Sequence, residues 1–207
     1  MNFEEVRTKS LTVAKKLGYE LPSGLPLLDS TIRLRPSREI ENRALVLAGV
    51  VASSYGFPRD RVISWLDQEG LWSSVSLAEE DFLRHGKGSA QQFQMQVESL
   101  YAFAWALGYL PSLDFDKPSP ANLVAVFPDF KVAESSAKFR DRANPRSQDE
   151  VAFSCDLAYC LHWAVSQAAL DGKAIPGKVP QHVVIERRRA LEWMLSADEW
   201  EEVSLDT

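Results

Sequence analysis

Cysteine and histidine are scarce: two and three residues in a chain of 207. Cys155 and Cys160 are five apart in a stretch of helical period, which sets them about 140° apart around the axis and prevents their pairing. Their neighbours are apolar, so they read as reduced core thiols, as in a cytoplasmic protein. His85, His162 and His182 lack metal-ligand spacing and HExxH is absent, so no metal is expected. There is also no Walker loop, no Gly-x-Ser-x-Gly elbow and no dinucleotide fingerprint, so no cofactor is expected and motif support for an enzyme is thin. No apolar run approaches the roughly 20 residues that span a bilayer. The opening, MNFEEVRTKS, carries two acids and no apolar h-region, unlike a secretory signal. No membrane association is expected.

Basic charge is short as well. Lys and Arg number 23 against 29 Asp and Glu, a formal net charge of −6. A nucleic-acid surface needs one face dominated by cations. The only basic run, Arg187-Arg188-Arg189, is flanked by Glu186 and Glu192. No nucleic-acid partner is expected. The acidic excess suits a protein partner with a basic surface, and it also serves solubility.

No Asn-Gly or Asp-Gly pair stands between alternating strands, and the punctuation that is present is helical. A first helix is expected from about Asn2 to Leu17, stopped by Gly18. Pro22, Gly24 and Pro26 mark an extended connection. Pro36 opens a helix to about Ser54 with Ile40, Ala44, Leu47, Ala48 and Val51 on one face. A short helix ends at Gly70. Ser76 and Glu79 form a capping box for a helix to His85, and Ser89 starts another through Leu107. Residues 119–127 read as a short helix with Ser119 as cap. AESSAKFRDRANPRS reads as the most solvated stretch, and a partly mobile one. Ser147 and Glu150 form a second capping box for a helix to Gly172, and Pro180 opens the last helix, to about Leu195. The expectation is an all-α, single-domain irregular bundle of about seven to nine helices. Residues 1–34 would be an N-terminal helix and connection, and 35–207 the core.

Polar groups interrupt the apolar faces at particular places. On the helix from Ser147, Asp149, Asp156, Tyr159, Trp163 and Gln167 fall within about 80° of each other, with His162 at the edge. The rest of that helix is apolar, so the stripe should face other helices. In the last helix Arg187 falls inside the stripe Val183, Val184, Ala190, Leu191 and Met194, while Arg188 and Arg189 point away. A buried guanidinium calls for a carboxylate, and Asp156 and Glu98 are the expected partners of Arg187. Glu98 shares a stripe with Tyr101 and Trp105, and Arg43 flanks the apolar face of its own helix. Together these suggest one polar cluster of Arg43, Glu98, Asp156, Tyr159, His162 and Arg187, bordered by Trp105 and Trp163. It has two readings: a structural ion-pair network that fixes helix register, or a pocket for acid–base work or an anionic ligand. The six tryptophans read mostly as core, with Trp65 and Trp72, beside turns, as candidates to line an exposed groove.

The blocks RPSREIENRA, ESLYAFAWALGYL, DLAYCLHWAV and ERRRALEWML…WEEVSLDT resemble, in order, those of a bacterial family described as domain of unknown function 4272. The C-terminal block is the most specific, through Arg187, Ala190, Leu191, Trp193, Trp200, Asp206 and Thr207. Glu192 and Glu201 depart from the family pattern, which favours Asn and Asp there. The resemblance implies the helical fold and no particular activity.

With no catalytic motif and an acidic surface, the leading expectation is a non-catalytic, intracellular protein-binding module, in concrete form an immunity-type protein that neutralises a toxic effector. The alternative is an enzyme or small-ligand binder that uses the polar cluster.

Overall fold

A computed structural model describes every residue except Met1 and Ser23, and no strand forms among the described residues. The helices are α1 (Phe3–Lys16), α2 (Ser37–Ser54), α3 (Arg59–Gln68), α4 (Leu77–Glu80), α5 (Ala90–Met95), α6 (Val97–Ala106), α7 (Ala137–Asp141), α8 (Gln148–Leu170) and α9 (Gln181–Leu195). Local chemistry sets their ends. The Asn2 side chain accepts from the Glu4 and Glu5 N–H groups to start α1. Both capping boxes, Ser76 with Glu79 and Ser147 with Glu150, are closed.

Four stretches differ from the sequence reading. The helix expected from Ser89 to Leu107 is divided at Gln96, whose N–H reaches back three residues to the Phe93 carbonyl, so the four-residue ladder restarts as α6. The helix expected from Ser76 to His85 turns wider at Asp81–His85, a π-helical turn closed by Gly86 with φ +68°. Residues 119–127 give only a 3₁₀ turn, Leu123–Val126, and Ser119 does not cap it. The Ser119 N–H is instead bound by Glu98 Oε1 at 3.0 Å. The stretch expected to be solvated and partly mobile is largely exposed, but it contains α7 and is anchored at Phe139, which is buried with its ring stacked 4.8 Å from Tyr109 and 5.5 Å from Phe127.

Contacts divide the chain into two compact units, residues 1–35, 112–118 and 146–207, and residues 36–111 and 119–145. In the first unit α8 packs against both α1 and α9. α8 is buried over most of its circumference, which places it at that unit's centre. In the second unit α2 is the central helix and packs on α3, α5 and α6. Gly49 allows the α2–α3 approach, since a Cβ there would stand 2.7 Å from Val62 Cγ1. Gly108 (φ +82°) ends α6 where a Cβ would lie 2.2 Å from the Asn144 carbonyl oxygen.

Candidate functional site

Among the expected cluster residues, Asp156, Tyr159, His162 and Arg187 belong to the first unit, as does Trp163. Asp156, 1% exposed, is held by Arg7 of α1. Arg7 Nε reaches both carboxylate oxygens, at 3.2 and 3.1 Å, and Nη2 reaches Oδ1 at 2.7 Å. The remaining Arg7 donors reach the carbonyls of Leu25 and Pro26, at 2.8 and 2.6 Å. Arg7 therefore fixes α8, α1 and the extended connection together. It did not stand out in the sequence, yet it forms a buried i, i+3, i+7 stripe with Ser10 and Ala14 that could have been found on a wheel of α1.

Arg187 is fully buried and donates to the carbonyls of Asp114 and Lys117. Arg188 overturns the sequence reading: it is 4% exposed instead of facing solvent. The chain returns over α9 after Trp200, and Arg188 binds it by donating to the Leu205 and Asp206 carbonyls, each at 3.0 Å. Arg188 also donates to Glu192 Oε1 at 3.1 Å and contacts His162 Nδ1 at 2.8 Å. A guanidinium only donates, so Nδ1 is the acceptor there. Tyr159 lies beneath both cations, with Arg188 4.8 Å and Arg7 5.5 Å from its ring centroid.

These surroundings shift the titration of four groups in the first unit. Burial, aided by Arg188, pushes His162 down to about 4, so it is neutral at ordinary pH. Burial pushes the Cys160 thiol up to about 12, with Asp156 adding to the shift, and raises Cys155 too. Burial also raises Tyr159, against the opposing pull of Arg188 and Arg7.

Arg43, Glu98 and Trp105 belong to the second unit, and all three are buried. Arg43 pairs with Glu79 of the capping box and donates to the Ser74 carbonyl at 2.9 Å. Glu98 receives the Ser119 N–H. Arg140 joins Glu41 Oε2 at 3.1 Å and Asn42 Oδ1 at 2.9 Å, so α7 is tied to α2. Trp65 is core rather than groove: its indole N–H donates to the Glu134 carbonyl at 2.8 Å and its ring meets Phe130 edge-on at 4.9 Å. Trp72 lies under the Arg84 guanidinium, 4.1 Å from its ring centroid.

The second unit also holds a half-open groove of about 540 Å³, which lies within the size range of small-molecule sites. Its floor is the α2 face at Ala48, Val51 and Ala52, with Leu100 of α6. Its far wall is the irregular chain from Leu123 to Glu134, which includes Phe127 and Phe130. Two small residues one turn apart, Ala48 and Ala52, leave the volume that a Leu or Phe would fill. Tyr55 and Val124, which also line it, are 65% and 72% exposed, so its apolar surface continues into side chains open to water. No motif marks this groove, because it is built from one helix face and a loop whose path periodicity does not specify.

No described helix is long and apolar enough to cross a membrane, and no three metal-ligating side chains converge among the described residues. Residues 7–203 match the family described as Domain of unknown function (DUF4272). No curated protein matches the chain, and no solved structure does.

Proposed function

The chain belongs to the family of domains of unknown function DUF4272, a description that carries no activity, and from its geometry we propose a non-catalytic binding module whose site is the groove of the second unit. The observation that carries this reading is the groove itself: about 540 Å³ of apolar-walled space open to solvent beside exposed Tyr55 and Val124. Support against chemistry comes from the first unit. His162 is held neutral as an acceptor, both thiols are held protonated, and Asp156 is bound by a buried arginine. The polar clusters accordingly read as structural ties that hold chain segments in register.

The test is binding of N-phenyl-1-naphthylamine, a neutral apolar fluorophore, to the full chain. Saturable one-to-one binding is expected, and Ala52→Trp, which places an indole in the groove, should abolish it without altering the far-ultraviolet circular dichroism. Binding unchanged by Ala52→Trp would move the site elsewhere.

A second reading is favoured by the charge. An excess of six acidic groups suits capture of a basic protein, as by an immunity-type protein that neutralises a toxic effector. In that form the groove anchors partner side chains, and association slows as salt rises.

A further inference from the structure

The charges around the groove are not equivalent, and their difference identifies the kind of molecule it takes. Asp129 and Glu134 both line it. Asp129 Oδ1 accepts the Lys131 N–H at 2.8 Å. Glu134 Oε2 accepts the Asp129 N–H at 3.0 Å, and Glu134 Oε1 lies 3.5 Å from Lys138 Nζ. Both carboxylates thus serve the fold of the loop that makes the wall. The cations at the same end are otherwise placed. Arg61 donates to the Lys131 carbonyl at 2.6 Å and lies 5.6 Å from the Phe57 ring centroid, and Phe57 lines the groove beside Phe130. Lys131 also lines the groove, and its ammonium makes no hydrogen bond or ion pair among the described residues. Both cations are exposed, and neither makes an ion pair among the described residues.

An apolar chamber with the Lys131 side chain in its lining and the Arg61 guanidinium beside it, over Phe57, fits a molecule of matching polarity. Resting on the groove as the binding site, we infer that its ligand is a water-borne amphipathic anion. The apolar body, acyl or aromatic, lies on Ala48, Val51, Ala52 and Leu100, and a single carboxylate-type head meets Lys131 and Arg61. A guanidinium held over an aromatic ring is already oriented, so less side-chain freedom is lost when it receives the head group. The neutral half of such a molecule is what the floor would accept from any apolar ligand. The charged half is what distinguishes this class.

The experiment displaces bound N-phenyl-1-naphthylamine with two single-chain amphiphiles of equal length, dodecanoate and dodecyltrimethylammonium, each below its micelle-forming concentration. Dodecanoate is expected to displace the probe at roughly tenfold lower concentration, because an exposed ion pair gains and a like-charge contact loses a few-fold each. Lys131→Glu should erase or reverse that preference while the neutral probe still binds, and Lys131→Arg should keep it. Equal displacement by the two amphiphiles, or a preference for the cation, overturns the inference and leaves the groove as an apolar site. Failure of the neutral probe to bind removes the groove reading and the inference with it. Co-sedimentation with phosphatidylglycerol vesicles, without displacement by dodecanoate, would overturn it in favour of a lipid surface.

Discussion

Arg7 Nη2 lies 2.7 Å from Asp156 Oδ1, an ion pair between residues 149 apart in sequence, with the two side chains 6% and 1% exposed. It ties the first helix to the centre of its unit and accounts for an aspartate set among Leu, Ala and Cys. Removing either member leaves a buried charge without its partner, which typically costs about 3–5 kcal/mol. Arg7→Ala and Asp156→Ala should each lower the urea midpoint by a comparable amount. The double replacement Arg7→Met with Asp156→Leu should cost less than either single change. Single variants that melt like the parent would show that the pair contributes nothing.

The three consecutive arginines of α9 should not behave alike. Arg187 and Arg188 are buried and bind backbone carbonyls, whereas Arg189 is partly exposed and pairs with Glu186 across one turn. Arg187→Ala and Arg188→Ala should each cost about 2–4 kcal/mol through stranded carbonyls and lost packing, and Arg189→Ala less than about 1 kcal/mol. Arg187→Lys should not rescue fully, since an ammonium lacks the fork that reaches two carbonyls. Thermal melts of the four variants decide the order.

Stability should fall on mild acidification because of His162. Its folded value is lowered to about 4 while the unfolded chain keeps the ordinary 6.5. The unfolded state therefore takes the proton first. The stabilisation is complete above pH 6.5 and declines as pH falls toward 4, with a slope of at most about 1.4 kcal/mol per pH unit. Urea midpoints measured between pH 7 and 5 should show this decline, and His162→Asn should flatten it. An unchanged slope in the variant would assign the decline to other groups.

Cys155 and Cys160 are buried, with their thiols held protonated by that burial. Neither should react with 5,5′-dithiobis(2-nitrobenzoate) in the native protein at pH 8, and both should react once urea unfolds it. Fast labelling of the native chain would place at least one of them near the surface.

How far the sequence reached follows from what each signal encodes. Capping boxes are local chemistry, and Ser76–Glu79 and Ser147–Glu150 form where they were read. The wheel of α8 placed Asp156 inward correctly, because periodicity reports which face is buried. It led to Arg187 as the partner, whereas the partner is Arg7, which arrives from a helix that the family-like blocks did not include. Arg188 was misplaced for a related reason: the segment that covers it returns from Trp200 to Asp206 without secondary structure, and a wheel knows nothing of such a cover. The groove was illegible altogether. Ala48 was read as one more apolar residue of a core face, and only the path of residues 123–134 turns that face into a chamber.

The central claim is that binding occurs at the groove and not in the polar interior of the first unit. Amide chemical-shift mapping with N-phenyl-1-naphthylamine tests it most directly. The account predicts shifts concentrated in the amides of residues 48–57 and 123–134, with those of Asp156, Tyr159, His162 and Arg188 unmoved. Shifts centred on those four residues, with the groove silent, would contradict it.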